Sequence, residues 1–368
     1  MELNKKRVLC AMSGGIDSTM SAVLLKEQGY DVIGLTMKTW DYETSGVDAS
    51  KSKTTGCCSL DDINDARAIC VEHDIPHYIH DIRTEFSDKV INNFIDEYVA
   101  GHSPNPCILC NTHIKWGALI KIADSLHCNY IATGHYAIIR KEGDRYILSS
   151  GLDSSKDQSY VLYGLTQEVL AKTIFPIGKY EKKEIRQMAL DRGYEELSKK
   201  SESYEICFVP AGHFSDFLKF KRPELAALEG GEYRLKDETV VGHHKGYPFY
   251  TVGQRRGLGI ALGHQVFITK IDHKNNVIYV GSEDELQKKT IYVNGLNLIK
   301  NPVIIDGTEC IVKIRHLDRG THARIYNADN DRIRVEFLKD VKAATLGQSA
   351  VILDYDNDVL GGGVICEV

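Results

Sequence analysis

The N-terminal stretch constrains this chain more than any other. An apolar run, Val8-Leu9-Cys10-Ala11-Met12, meets Ser13-Gly14-Gly15-Ile16-Asp17-Ser18 and then a pattern running from Thr19 to Gln28. The run reads as a buried strand, and Met20, Val23 and Leu24 recur at helical spacing. A strand that enters a helix through a Ser-Gly-Gly turn is a βα unit. Such a turn is also an anion site, because glycines let the backbone approach closely and the amides and helix dipole face the anion. The spacing is neither the Walker Gly-x-x-x-x-Gly-Lys-Ser/Thr loop nor the Gly-x-Gly-x-x-Gly dinucleotide turn. The bland alternative is an ordinary glycine-rich turn.

The pattern continues. Asp31 to Trp40 reads as a second strand, Pro76 to His80 as a third, and Cys128 to Tyr136 as a fourth with its C-terminal turn. Helical patterns lie between them: one after Cys57-Cys58, with Ser59 and Asp62 as cap residues, one over Phe86 to Tyr98, and one over Asn111 to His127. Alternating β and α segments predict a doubly wound parallel sheet. Ligands of such sheets sit at the carboxyl ends of the strands, which puts Met37, Gly134 and His135 in one crevice with Ser13 to Ser18. A hairpin over Ile138 to Leu148 and a helix over Lys182 to Arg192 follow. Beyond Pro210 short strands and glycine turns take over, and from about Ile291 alternating runs predict a small antiparallel barrel. The expected domains are 1–210, 211–287 (a small central linker domain) and 288–368.

Composition narrows the class. The 368 residues suggest two or three domains, and 43% hydrophobic with 26% charged residues is globular. Neither an export signal nor an apolar run of about 18 residues is apparent, so the expected location is cytoplasmic, with no membrane. A formal net charge of −6 argues against general nucleic-acid binding, so any RNA site must come from local basic patches. In a cytosolic enzyme, the ten cysteines read as thiols, metal ligands or catalysts rather than a disulfide framework. Cys57-Cys58 is given no role.

Cys107 and Cys110 lie in Asn105-Pro106-Cys107-Ile108-Leu109-Cys110-Asn111, just before the helix expected from Asn111. A thiol at a helix N-terminus has a lowered pKa. Three readings stand side by side: half of a zinc site lacking its second pair, a redox pair, or a nucleophile with a distant partner. Cys207, between Ile206 and Phe208, reads as buried core.

A resemblance changes that weighting. Ser13-Gly14-Gly15-Ile16-Asp17-Ser18 resembles the pyrophosphate loop of enzymes that split ATP into AMP and pyrophosphate. That loop, the Asn105 to Asn111 motif, Ala132-Thr133-Gly134-His135-Tyr136, Lys156-Asp157-Gln158-Ser159-Tyr160, Glu205-Ile206-Cys207-Phe208, Tyr250 to Gly259 and Leu360-Gly361-Gly362-Gly363 together resemble the tRNA-specific 2-thiouridylases (the MnmA family) in order along nearly the whole chain.

The resemblance implies an adenine nucleotide alpha hydrolase-like first domain and conversion of a wobble uridine of tRNA to 2-thiouridine. ATP adenylates the C2 carbonyl, and sulfur replaces the oxygen as AMP leaves. ATP, with Mg²⁺, would be held by Ala11, Met12, Ser13, Gly14, Gly15, Ile16, Asp17, Ser18, Met37 and Gly134, with Asp17 as metal partner. Cys207 would carry a persulfide supplied by a cysteine desulfurase or a persulfide-relay protein. Cys110 would act as nucleophile or resolving thiol, forming a transient Cys110–Cys207 disulfide. Asn105, Pro106 and Cys107 would lie against the flipped base. His135, Lys156, Asp157, Gln158, Arg315, His316 and Gln348 match family positions that contact tRNA, and the barrel would grip the anticodon arm.

Many family members carry Asp where this chain has Cys107. Three thiols in one site make a [4Fe–4S] cluster on Cys107, Cys110 and Cys207 an alternative route for sulfur. Arg255 and Arg256, flanked by glycines, are phosphate candidates or solvated surface charge. Two rival classes remain. An amidating synthetase with the same loop would leave Cys110 idle, and a non-enzymatic RNA-binding protein would leave the loop idle.

Overall fold

β1 (Arg7–Ala11), β2 (Asp31–Lys38), β3 (His77–Asp81) and β4 (Tyr130–Ala132) are followed by the hairpin β5 (Ala137–Glu142) and β6 (Arg145–Ser150), then β7 (Thr173–Ile174). In this computed structural model, which describes residues 6–41, 60–200, 206–209 and 214–368, β1 to β4 and β7 form one sheet. Its order is β3-β2-β1-β4-β7 and every neighbouring pair is parallel. The Cys57-Cys58 pair, the Ser59 cap, Glu205 and the Pro210 boundary lie outside the described residues.

Side chains alternate across β1 and thereby assign the helices to faces. Val8 and Cys10 pack in one cluster with Ala22 and Leu25 of α1 (Ile16–Glu27) and with Ala66 and Cys70 of α2 (Leu60–Glu72). Leu9 packs in another with Leu119 and Ala123 of α6 (Trp116–Ser125), reached through the short helices α3 (Arg83–Phe86), α4 (Asn92–Val99) and α5 (Pro106–Leu109). All three β1 residues are fully buried, as a central parallel strand requires. The sheet is therefore covered on both faces, as its alternating sequence predicts. Strand order reverses between β1 and β4, the switch point where such sheets bind ligands.

Two helices differ from expectation. The one expected over Phe86 to Tyr98 starts at Arg83 and passes through a π-helical turn, Ser87–Ile91, before α4. The one expected from Asn111 starts at Pro106, because proline at the first helical position forfeits an amide that has no intrahelical partner anyway. Another π-helical turn, Cys110–Lys115, leads from α5 into α6.

After α7 (Gln167–Ala171), α8 (Lys182–Asp191), α9 (Glu195–Lys199) and α10 (Phe214–Lys221), the strands β8 (Gly231–Arg234), β9 (Val240–His244), β10 (Phe267–Asp272) and β11 (Val277–Gly281) form a four-stranded central sheet. Tyr233, Tyr247, Phe249, Ile268 and Ile278 share one core with Phe86, Phe94 and Phe208, so the central unit is packed against the first domain rather than strung beside it.

β12 (Gln287–Leu298), β13 (Thr308–Lys313), β14 (Thr321–Ala328), β15 (Arg332–Lys342), β16 (Ser349–Leu353) and β17 (Val359–Glu367) close into an antiparallel barrel, order β12-β15-β14-β13-β16-β17. Ile291, Val293, Val312, Ile325, Val335, Phe337 and Ile365 fill its interior. Its outer residues Val351, Leu353 and Val359 join a core with Trp116, Leu148, Tyr160 and Phe175 of the first domain. Beside that core, Asp358 takes both guanidinium nitrogens of Arg140 at 2.7 and 2.6 Å, Lys300 at 2.6 Å and the Ser149 hydroxyl at 2.6 Å.

Candidate active site

The loop after β1 enters α1 with Gly15 at the N-cap and no side-chain cap, which leaves the first-turn amides without a side-chain acceptor. That is the donor set a phosphate takes. The loop is folded back on itself: Ser18 Oγ accepts from Ser13 N at 3.0 Å and donates to Gly15 O at 3.1 Å. Gly14 has φ +72, and a Cβ there would lie 2.2 Å from Asp62 O. A Cβ on Gly134 would lie 2.6 Å from Ser18 N, so the turn after β4 closes directly on the first turn of α1. The structure thus brings Ser13 to Ser18 and Gly134 together at the switch point.

Two lysines that motif reading passes over hold this loop. Lys182, the first residue of α8, places Nζ 2.7 Å from each Asp17 carboxylate oxygen, and Tyr136 Oη donates to Oδ1 at 2.8 Å. Asp17 as a direct Mg²⁺ ligand does not fit this arrangement, since both oxygens already meet an ammonium. Lys200 Nζ donates to Gly14 O at 3.0 Å and pairs with Asp62 at 2.9 Å. Both lysines lie far from the loop in sequence, Lys182 at the start of α8 and Lys200 just after α9. Only tertiary structure delivers them.

Asn105 caps α5, its Oδ1 accepting from Cys107 N at 3.1 Å. Cys107 is therefore the residue at the helix start, and Cys110 lies one turn in, at the head of a π-helical turn. The expected depression of the thiol pKa is not found at Cys107. Its side chain is exposed, and the protein around it pushes the thiol up while Lys115 pulls it down. Cys110 is buried and Cys207 half-buried, both as thiols.

Cys110 belongs to the large aromatic cluster against which Cys207 packs, and Met37, at the end of β2, packs there too. Phe208 fixes the place of Cys207: its ring is 1% exposed and meets Trp40, Phe86, Phe94 and Phe217 at centroid distances of 5.3–6.4 Å. The cysteine that reads as buried core is thus half-exposed beside a neighbour that is the core. Among the described residues, which include Cys107, Cys110 and Cys207, no three His, Cys, Asp or Glu side chains come together as metal ligands. The donor set for an iron–sulfur cluster is not assembled.

The expected RNA contacts divide into two groups. Arg315 and His316 are exposed at the end of β13, and Lys156 is half-buried in the loop before Ser159. His135 stacks beside Trp116 and Phe175 and pairs through Nδ1 with Thr133 Oγ1 at 2.6 Å. Burial pushes its pKa down to about 3, so it is a neutral ring at physiological pH and not a phosphate-binding cation. Asp157, Gln158 and Gln348 are engaged internally. Asp157 accepts from Lys313 at 2.8 Å, Gly151 N at 3.2 Å and Ser159 N at 3.0 Å, and Gln158 Oε1 accepts from Tyr136 N at 2.9 Å. Gln348 Nε2 donates to Ser103 O at 2.7 Å.

Residues 6–211 match the family model described as the tRNA methyl transferase HUP domain, 215–282 its PRC-barrel domain, and 288–365 the aminomethyltransferase β-barrel domain. The chain is similar over nearly its full length to proteins named tRNA-specific 2-thiouridylase MnmA. Identity is 53% over 367 residues with that of Salinibacter ruber, covering 99% of this chain and 95% of the relative. It is 54% over 365 residues with that of Amoebophilus asiaticus, covering 99% and 96%. A solved 4-thiouridine synthetase–RNA complex with bound ATP is 17% identical over 60% of this chain and 51% of that one, at a TM-score of 0.34, too distant to carry an argument.

Proposed function

This chain belongs to the family of tRNA-specific 2-thiouridylases, and from that premise we propose an ATP-dependent sulfur transfer to the wobble uridine of tRNA, run by Cys207 and Cys110. The observation that supports the assignment of residues is that Cys110 belongs to the aromatic core against which Cys207 and Met37, the latter at the end of β2, also pack, while the start of α1 after β1 carries no side-chain cap.

The loop amides hold the ATP phosphates, whose Mg²⁺ comes with the nucleotide, and Lys182 and Lys200 fix the loop around them. The uracil O2 attacks the α-phosphorus and pyrophosphate leaves, so a poor leaving group becomes AMP. The terminal sulfur of a Cys207 persulfide then adds to C2, and AMP departs. Cys110 thiolate attacks Cys207 Sγ, the persulfide S–S bond breaks, and its electron pair stays with the transferred sulfur as the thiocarbonyl. The product on the protein is a Cys110–Cys207 disulfide, which an external thiol reduces before the next turnover. Cys107 lies exposed at the start of the same helix, where Asn105, Pro106 and Cys107 meet the extruded base. Arg315, His316, Lys156 and the neutral His135 serve the RNA, and the sulfur donor is a persulfide-bearing protein. The relay is favoured over a cluster because the three thiols are not gathered as a ligand set.

The test is incubation with ATP, Mg²⁺, unmodified tRNA and a persulfide donor, followed by nucleoside analysis. Expected is 2-thiouridine with wild type and none above background with Cys110→Ser or Cys207→Ser. Either variant retaining full persulfide-dependent activity overturns the relay. Iron and acid-labile sulfide found at cluster stoichiometry after anaerobic purification would restore the cluster route.

A further inference from the structure

The barrel turn that leads into β16, residues 345–349, touches the segment that enters the cysteine helix and the tyrosine turn that Asn111 packs on. On the entry side, Gln348 Nε2 donates to Ser103 O at 2.7 Å and Ser103 N donates to Leu346 O at 2.9 Å. Gly347, at φ +85, lies so near that a Cβ there would stand 3.0 Å from His102 Cβ. Ser103 is 3% exposed, and two residues later Asn105 caps α5. On the far side, Tyr160 Oη donates to Ser349 O at 2.9 Å and Tyr163 Oη pairs with Ser349 Oγ at 3.0 Å. Between those tyrosines, Val161 O accepts from Nδ2 of Asn111, the residue after Cys110, at 3.0 Å.

The entry segment needs this outside support. Pro104 and Pro106 have no amide to donate and resist helical backbone at the residues before them, so the loop cannot set its own register. Its neighbours in the barrel can. Four consecutive barrel residues therefore fix where the cysteine helix begins and the turn against which Asn111 is held.

We propose that Gln348 is a positioning residue for the cysteine helix, and that the 345–349 turn couples the barrel to the thiols of the active site. The coupling to RNA rests on the thiolation reading above; the positioning of Cys110 does not. Gln348 occupies a position at which the family resemblance implies a tRNA contact, but one N–H of its amide is held by Ser103 O. Removing that hydrogen bond frees the loop, and its effect reaches the thiols before any RNA is present.

The experiment compares wild type with Gln348→Ala and Gln348→Glu, the latter nearly isosteric but unable to donate to a carbonyl. Site-resolved alkylation by iodoacetamide, read by peptide mass spectrometry without tRNA, should rise about three- to tenfold at Cys110, the factor for losing one neutral hydrogen bond. Cys310, in the barrel core, serves as the control and should not change. At saturating tRNA the turnover rate should fall by a similar factor while tRNA affinity changes less than twofold. Unchanged alkylation of Cys110 in both variants overturns the proposal, and weakened tRNA binding alone assigns Gln348 to RNA contact. A parallel rise at Cys310 in both variants means global loosening and overturns it as well. Failure of wild type to thiolate tRNA overturns the functional reading, and the alkylation comparison still decides this one.

Discussion

Gly134→Ala should disable the nucleotide half of the site without unfolding the protein. The added Cβ would lie 2.6 Å from Ser18 N, 2.7 Å from Asp17 C and 2.9 Å from Asp17 O. All three are backbone atoms of the first turn of α1, so no side chain can rotate away. Reaching an ordinary contact of 3.4 Å means separating the turn after β4 from α1 by 0.8 Å at the closest pair. Overpacking of this kind costs about 1–3 kcal/mol, less than the stability of a typical domain. Its effect on chemistry is larger, because the atoms displaced are the amides proposed to receive the phosphates, and an error near 1 Å in a bound group costs roughly 100-fold. Activity should therefore fall about 10- to 100-fold while the unfolding transition remains cooperative. The assay is ATP-dependent formation of 2-thiouridine with pyrophosphate release measured in parallel, so that both halves of the reaction are read. Gly117→Ala is the control: it lies in α6 with nothing within 4 Å of its Cβ, and alanine there should be neutral or slightly stabilising. Gly134→Ala with activity within twofold of wild type would refute the reasoning.

Phe208→Ala removes the ring that anchors the segment of Cys207 and should lower stability by about 3–5 kcal/mol by denaturant titration; persulfide-dependent activity should drop further than pyrophosphate release does. Because burial holds the folded pKa of His135 at about 3 against an ordinary 6.5, its neutral form stabilises the fold above pH 6.5, and that contribution is lost as pH falls from there toward 3. His135→Gln should flatten the decline of Tm between pH 7 and 5, and an unchanged slope would sink the assignment. Asp358→Asn removes the carboxylate that Arg140 and Lys300 share but leaves them Glu142 and Asp354, and should cost about 1.5–3 kcal/mol in a denaturant melt. Burial opposes ionisation of Asp358, but Arg140 and Lys300 outweigh it and hold the carboxyl below its usual range, so its contribution is present above about pH 4 and lost in stronger acid.

What the sequence made legible follows the range of the forces involved. Strand order and the alternating barrel strands are local patterns, and the sheet order confirms them. The cysteine helix starts at Pro106 rather than at the expected Asn111, because apolar spacing does not register a proline that opens a helix. The Asp17–Lys182 and Gly14–Lys200 contacts had no local signal at all, since each joins elements well over a hundred residues apart. Asp157 and Gln348 show the converse. Their positions point to RNA, yet the Asp157 carboxylate meets Lys313 and one amide N–H of Gln348 meets Ser103 inside the molecule.

The family models carry the name of a methyl transferase, whereas the relatives of highest identity here are named for sulfur transfer. The residues proposed for the site favour the second of these chemistries. Moving a methyl group requires an activated methyl donor and a nucleophilic acceptor, and it gives no work to a loop built to hold the phosphates of ATP. Replacing a carbonyl oxygen needs that oxygen turned into a leaving group, which adenylation does, and it needs a soft nucleophile to take its place. The uncapped start of α1 supplies the first requirement. Cys110 and Cys207, packed against one aromatic cluster from separate parts of the chain, supply the second. In the proposed relay the disulfide between them holds the oxidation left by each transfer, and an external thiol reduces it before the next one. A methyl transfer would leave both thiols without a task, and a relay leaves neither.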